Sequence, residues 1–208
     1  MGYRVVFRPT VYRIVSLSRR AGKTKLITLL ASELLKQGIS VAVVKHSMKG
    51  VDLRGKDTDR YTSAGVKRIV FVSPSELVLF LKYESTSLDR ALSILGYSSP
   101  IVLVEGFKSE SLGKIIGIVT SVDDVDYYLK CRESILALVC TSSDLTSKLK
   151  SRFPRVYIGF SKSTIRDLVE LVVGDTVEYV CNQLPGLNCG YCGYSTCREY
   201  ARAYVFQS

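Results

Sequence analysis

A short apolar run, Ile14-Val15-Ser16-Leu17, leads through the loop Ser18-Arg19-Arg20-Ala21 into Gly22-Lys23-Thr24, and from there an amphipathic stretch reaches Gln37. Strand, tight loop and helix in that order belong to a parallel α/β sheet, so these residues constrain the fold more than any others. They also constrain the chemistry. Backbone N–H groups at a helix N-terminus receive phosphate oxygens, a Lys there reaches the β/γ oxygens, and a Thr hydroxyl ligates Mg²⁺. Gly22, Lys23 and Thr24 are therefore expected to hold a nucleotide's phosphates, with Thr24 also at Mg²⁺. The usual pattern has Gly five residues before Gly22, where this chain has Leu17, and the bulky Arg19 and Arg20 follow. That departure bears on turnover more than on binding.

The rest of the chain alternates between the two periodicities. Tyr3–Phe7 and Tyr12–Leu17 read as strands around a turn at Pro9, and Leu26, Ile27, Leu30, Leu34 and Leu35 recur at helical spacing. Ile39–Lys45 reads as a buried parallel strand, and a polar loop covers His46–Thr58. Then come a helix over Asp59–Ala64, a strand over Arg68–Val72, and helices near Ser75–Leu81 and Leu88–Leu95. Strands follow at Ile101–Glu105, Ile115–Thr120, Ile135–Cys140 and Val156–Phe160. The helices among and after them are Val122–Cys131, Leu145–Leu149 and Thr164–Val172. The expected fold is α/β, a mostly parallel sheet with helices on both faces of the P-loop type, plus a small cysteine-rich metal-cluster domain. Residues 1–173 are expected to form the nucleotide domain, 174–180 a linker and 181–208 the cysteine domain. Ligands of such sheets bind at the carboxyl ends of the strands, where Lys23, His46 and Glu105 all fall.

Composition narrows the function. No apolar run among the 208 residues approaches the ~18–20 that a membrane span needs, and the basic residues at 4, 8 and 13 interrupt any signal-peptide plan. A cytoplasmic protein is expected. The net charge of +10 points to anionic partners. Its cations are spread along the chain instead of massed in one arm, so a nucleic-acid interface is the less expected reading.

Three further segments carry candidate chemistry. Lys45-His46 follows a strand, with His46 the only histidine; a solvated charge beside a loop imidazole is the plain alternative. The stretch from Asp52 to Arg60 gathers Asp52, Asp57 and Asp59 with Arg54, Lys56 and Arg60 around Gly55. It is either a polar surface loop or a phosphate and Mg²⁺ shell, with Lys56 and Arg60 on phosphates and Asp52 or Asp57 near the metal. Four apolar residues ending in Glu105 resemble the second nucleotide motif of phosphate-binding-loop proteins, where an acid at a strand end contacts Mg²⁺ or its water. Glu105 is the expected organiser of metal or attacking water, and Gly106 lets the chain turn beside it. Asp144 either reads a guanine base or caps the following helix.

Taken together, Gly22-Lys23-Thr24, Lys45-His46, Asp52-x-x-Gly55-Lys56-Asp57-Thr58-x-Arg60, Ala64-Gly65 and Val104-Glu105-Gly106-Phe107-Lys108 resemble the molybdopterin-guanine dinucleotide biosynthesis protein B (MobB) family. The resemblance spans roughly residues 12–172, with Leu17, Arg20, Lys49 and the segment 1–11 departing from it. It implies a GTP-binding accessory protein of molybdenum-cofactor maturation, at most a slow Mg²⁺-dependent GTPase. The implied partners are a second copy of itself and a molybdopterin guanylyltransferase or molybdoenzyme. Lys45, His46, Gly106 and Lys108 are family motif positions without an assigned role.

Four of the six cysteines fall in the last 28 residues, and Cys189, Cys192 and Cys197 are spaced C-x₂-C-x₄-C. In a cytoplasmic setting that crowding suggests a metal, iron–sulfur or zinc. With Leu184-Pro185-Gly186-Leu187-Asn188 in front, residues 183–204 resemble the small [4Fe–4S] domain of RnfB-type electron-transport subunits and corrinoid iron–sulfur proteins. That resemblance implies a 4Fe–4S cluster for redox sensing, electron transfer or docking, with zinc the alternative and Cys181 the candidate fourth ligand. A competing reading keeps the cluster and makes the nucleotide domain vestigial.

Overall fold

The computed structural model describes residues 7–47, 56–83 and 85–207, side chains of 56–59 and 207 excepted. The chain forms two compact units, one from residues 1–46 and 95–208 and the other from residues 47–94.

The larger unit is built on six parallel strands in the order β2-β5-β1-β6-β7-β8. These are β1 (Thr10–Val15), β2 (Val41–Lys45), β5 (Ile101–Glu105), β6 (Lys114–Val119), β7 (Ile135–Cys140) and β8 (Val156–Ile158). Because side chains alternate along a strand, each central strand feeds two cores. Tyr12 and Ile14 of β1 join the larger core with Leu26, Leu30 and Leu34 of α1 (Lys23–Lys36) and Leu168, Val169 and Val172 of α6 (Lys162–Cys181). Val15 faces the other side with Tyr128 of α4 (Val125–Lys130) and Leu145 and Leu149 of α5 (Ser143–Lys150).

The smaller unit holds α2 (Lys56–Ser63), the antiparallel pair β3 (Arg68–Val72) and β4 (Leu77–Leu81), and most of α3 (Leu88–Leu95). Here the structure corrects one expectation: residues 77–81 form a strand and not a helix. Leu77-Val78-Leu79-Phe80-Leu81 is a continuous apolar run without a helical period, and backbone pairing with β3 decides it.

The expected linker over 174–180 is likewise absent. Those residues continue α6, with Thr176, Val177 and Val180 buried. The cysteine segment belongs to the larger unit, since α7 (Cys197–Gln207) buries Ala201 and Val205, one turn apart, in the larger core. Phe7 packs edge-on against Tyr204 at 4.8 Å between ring centres, and Arg198 pairs with Glu178 of α6.

Two buried phenols tie strand ends to helices. Tyr12 is hydrogen-bonded through its hydroxyl to the Val172 carbonyl, Asp175 and Thr176 on α6. Tyr128 presents its hydroxyl 3.0 Å from the carbonyl oxygens of both Val15 and Ile118, sharing one hydrogen between them. Burial pushes the Tyr128 phenol well above its usual value, with Asp124 adding to the shift. Tyr128→Phe leaves those two carbonyls without their donor and is expected to cost about 1–3 kcal/mol of stability. The raised phenol is neutral in the fold, so its contribution is complete below the unfolded value near pH 10 and declines above it as the unfolded chain ionises. Alkaline unfolding, followed by circular dichroism, should therefore be less steep for Tyr128→Phe than for the wild type.

Candidate functional site

The parallel register fixes the site. Ile14 lies opposite Glu105, and Glu105 opposite Lys45, so the loop after β1, Glu105 and His46 emerge along one rim of the sheet. Gly22 closes that loop in the left-handed region at φ 95° and receives the Leu26 N–H that opens α1. A Cβ on Gly22 would meet Phe160 Cε2 at 2.7 Å, so glycine is required there both by conformation and by the ring behind it. Lys23 carries its ammonium 3.5 Å from the Ser18 carbonyl oxygen, back across the loop. Thr24 donates its hydroxyl to the Glu105 carboxylate, 2.9 Å to Oε2 and 3.1 Å to Oε1. Two of the residues expected at Mg²⁺ are thus in direct contact although 81 positions separate them.

The loop itself is held by short hydroxyl chains. Ser18 donates its N–H to Ser16 Oγ, and Ser16 returns its hydroxyl to the Ser18 carbonyl, both at 3.1 Å. The Thr120 hydroxyl gives its hydrogen to the buried Asp124 carboxylate, which also takes the N–H groups of Thr120 and Ser121. Thr120 therefore accepts from Ser18, 2.7 Å away. Arg20 is the non-glycine residue that the loop forces into the left-handed region, at φ 59°, and its side chain is exposed. The position where the family pattern favours a small residue or Gly keeps the backbone geometry of Gly at a strain of roughly 1–2 kcal/mol.

Beneath the rim, Arg13 of β1 is 1% exposed. Its Nη1 donates to the Phe107 carbonyl oxygen at 3.1 Å, while Nε has no partner among the described residues. Burial pulls the guanidinium down from its usual value, against the pull of Tyr127, Cys131 and Glu110. Phe107 sits at φ 51°, stacked at a tilt on His46 with ring centres 4.6 Å apart. Gly106 could not take a side chain without crowding His46 Cβ at 3.1 Å. Lys108 extends its ammonium to within 3.5 Å of the Leu17 carbonyl, and Tyr127 donates its hydroxyl to the Lys108 carbonyl.

So Gly22, Lys23, Thr24, Glu105, Gly106, His46 and Lys108 share one rim. Lys45 ends β2 at the same place, exposed. Asp144 is exposed in the first turn of α5, and the helix cap is Ser142, whose hydroxyl accepts from the Leu145 N–H. The capping alternative for Asp144 is thereby displaced by two residues. Asp52 lies outside the described residues, as do the side chains of Lys56 and Asp57. Arg60 is exposed on α2 in the smaller unit. Sequence reasoning missed Ser16, Ser18, Thr120, Asp124, Phe160 and Arg13, whose roles depend on neighbours distant in the chain.

At the C-terminal end, Cys189 and Cys192 are exposed, Cys197 begins α7, and Cys181, half-buried at the end of α6, packs against the larger core. Gly190 and Gly193 both turn with positive φ, and Asn188 Oδ1 accepts the Cys197 N–H at 2.8 Å. Among the described residues no three Cys, His, Asp or Glu side chains converge as a metal site. The four expected ligands are therefore not assembled around one point in this arrangement. Cys140 is buried and its thiol is pushed up by burial, consistent with a core role. No helix among the described residues is long and apolar enough to cross a membrane.

Residues 184–206 match a family described as a putative Fe-S cluster. A putative molybdopterin-guanine dinucleotide biosynthesis adapter protein of Methanocaldococcus jannaschii is 31% identical over 89% of this chain and 68% of its own length. The corresponding adapter protein of Haemophilus influenzae is 35% identical over 46% of this chain and 56% of its own length, so the match there spans little more than half of the relative. Among solved structures, a molybdopterin-guanine biosynthesis protein B aligns over 79% of this chain with a TM-score of 0.57 at 24% identity. Bacillus subtilis MobB aligns over 78% with a TM-score of 0.63 at 16% identity, a likeness of fold alone. Residues 11–141, which carry the phosphate loop, the Thr24–Glu105 contact and the Arg13-braced turn, match the family of molybdopterin guanine dinucleotide synthesis protein B, and the chain belongs to that family.

Proposed function

We propose that this protein is a GTP-binding adapter in molybdopterin-guanine dinucleotide biosynthesis, acting beside a guanylyltransferase or the molybdoenzyme it supplies, in the cytoplasm. The observation that carries the reading is the Thr24 hydroxyl on the Glu105 carboxylate at 2.9 Å. In phosphate-loop proteins the hydroxyl at this position and the acid at the end of the neighbouring strand hold Mg²⁺ between them, and the metal neutralises charge on the β- and γ-phosphates. The donor set fits a hard, oxygen-loving cation. Lys23 and the N-terminus of α1 would take the phosphates, and Glu105 would orient metal or water. Arg20 would add a cation where a tight loop normally has none. Arg60 and Lys56 belong to the same proposal as phosphate contacts, Asp52 and Asp57 as contributors to the metal shell, and Asp144 as a reader of guanine. The names of the Methanocaldococcus and Haemophilus relatives support the pathway.

Calorimetry with Mg²⁺ and GTP tests the site. Lys23→Ala should weaken binding at least about tenfold, or ~1.4 kcal/mol. Equal affinity in wild type and variant would remove the phosphate-loop reading and leave the scaffold reading of this domain. Glu105→Gln should slow hydrolysis by about tenfold or more while changing affinity less. Arg20→Gly should raise stability by about 0.5–1 kcal/mol through relief of the left-handed strain. The same change should weaken GTP binding and flatten its salt dependence, since one cation is lost.

A homodimer is part of the proposal. The isolated pair β3–β4 exposes Val70, Val72, Leu77 and Leu79, the last three at 78%, 68% and 46% of their surfaces. A two-stranded ribbon with apolar faces and open edges is marginal alone, and a second copy of the same ribbon complements it. Sedimentation should find a dimer at micromolar concentration, and Val72→Lys with Leu79→Lys should shift it to monomer. A wild-type monomer under those conditions would end the dimer reading.

The C-terminal segment is proposed to hold an iron–sulfur cluster, of the 4Fe–4S kind by its likeness to RnfB-type domains, on Cys189, Cys192 and Cys197 with Cys181 as fourth ligand. Support comes from the spacing, the glycine after each of the first two cysteines and the family match over residues 184–206. The exposed turn would have to close around the cluster, since its donors do not converge as described. Protein purified without oxygen should contain iron and acid-labile sulfide in similar amounts, both lost in Cys192→Ser. Zinc in their place, or no metal, would overturn the assignment.

A further inference from the structure

The smaller unit carries a concentration of positive charge that the phosphate loop does not use. At the open end of the β3–β4 ribbon a recess of about 580 Å³ is lined by Lys67, Arg68, Lys82, Arg90, Tyr83 and Ser85. The strand register places Arg68 opposite Leu81, and the Lys82 N–H donates to the Lys67 carbonyl at 2.9 Å, so the two lysines face one another across the strands. Like charges directly opposite in an antiparallel pair destabilise it. Among the described residues no ion pair involves Lys67, Arg68, Lys82 or Arg90. Arg90 lies over the ring of Tyr83, with its guanidinium carbon 4.6 Å from the ring centre, which holds the guanidinium beside the recess.

From this arrangement we infer that the recess is a second anion site, one that takes the phosphomonoester or diphosphate group of a small molecule. Four cationic residues line one concavity, and two of them are arginines, whose guanidinium forks match phosphate oxygens. The volume lies within the range of small-ligand pockets. A nucleic-acid strand would instead be tracked by a stripe of cations with several open aromatic faces, whereas here the cationic residues line a single recess and its one ring is capped by Arg90. An anion bound here also removes the repulsion between Lys67 and Lys82, so occupancy and stability of this ribbon are linked. The inference does not rest on the phosphate loop at Gly22–Thr24.

Inorganic pyrophosphate is the probe, titrated by calorimetry into full-length Lys23→Ala protein, where the phosphate loop is disabled. One site is expected to remain, and adding Arg68→Ala with Arg90→Ala should weaken it at least about tenfold. Those two changes in an otherwise wild-type chain should leave GTP affinity intact, which separates failure here from failure of the nucleotide site. Lys67→Glu gives an independent measure. It pairs with Lys82, so it should raise the melting temperature without pyrophosphate by about 1–3 °C and abolish the further rise that pyrophosphate causes in the wild type. Absence of pyrophosphate binding to Lys23→Ala protein would overturn the inference, as would binding indifferent to Arg68 and Arg90. Tighter binding of a random single-stranded oligonucleotide through the same residues would overturn it too, assigning the recess to nucleic acid.

Discussion

The parallel pairing of β1 with β5 is the constraint on which the rest of the site depends. It sets Ile14 against Glu105, and through β5 it sets Glu105 against Lys45. A slip of one residue would reverse every side chain of β1, exchanging Tyr12 and Ile14 with Arg13 and Val15 between the two cores. Burial on both faces makes that slip prohibitive, since the strand is fully buried from Thr10 to Val15. The Thr24–Glu105 contact is therefore a consequence of sheet register, not of any local preference of either residue. Functional geometry at a strand end is only as exact as the core that fixes the strand.

Arg13 shows the cost of that precision. A guanidinium inside a sheet, with one hydrogen bond to a backbone carbonyl and no ion-pair partner among the described residues, carries a large desolvation penalty. The carbonyl it holds belongs to Phe107, whose left-handed backbone is itself costly for a side chain of that size. Both costs fall on the segment just after Glu105. A turn pinned from below by Arg13 and from the side by Tyr127, through the Lys108 carbonyl, keeps the carboxylate and the neighbouring lysine at fixed positions on the rim. Preorganised charge of this kind is what an electrostatic site requires.

The legible part of this arrangement was the part written locally. Gly22-Lys23-Thr24 and the apolar strand ending in Glu105 are contiguous motifs, and each appears in the structure at a strand end as its residues imply. The ribbon strand at 77–81 is ambiguous in sequence because an unbroken apolar run has no period, and only its pairing with β3 resolves it as a strand and not the expected helix. Residues 174–180 look like a linker in sequence, but Val177 and Val180 belong to the core that α7, later in the chain, also joins, and Thr176 is buried against the Tyr12 hydroxyl. Thr120 and Asp124 were invisible for a related reason. A threonine and an aspartate beyond a strand look like ordinary turn residues until Ser18, 102 positions earlier, is seen bonded to the threonine. The cysteine spacing was legible as a pattern, yet its three-dimensional closure was not, because local spacing does not fix where exposed turns converge.

The course of α6 joins the rim of the phosphate loop to the cysteine segment. The helix starts beside the rim, where Ser161 caps it directly after Phe160, the ring that backs Gly22. By Val172–Thr176 it has reached the Tyr12 hydroxyl, and Cys181 lies at its far end. Twenty helical residues extend about 30 Å, several Debye lengths at physiological salt. Charge on a centre held by the cysteines would be screened before it reached the phosphate loop. Packing, by contrast, is continuous between the two ends. Phe206 and Val205 of α7 join the core that also contains Leu30 and Leu34 of α1, the helix whose first turn carries Lys23 and Thr24. The helix that carries the cysteine Cys197 thus shares one core with α1 and α6, the two helices that begin at the rim.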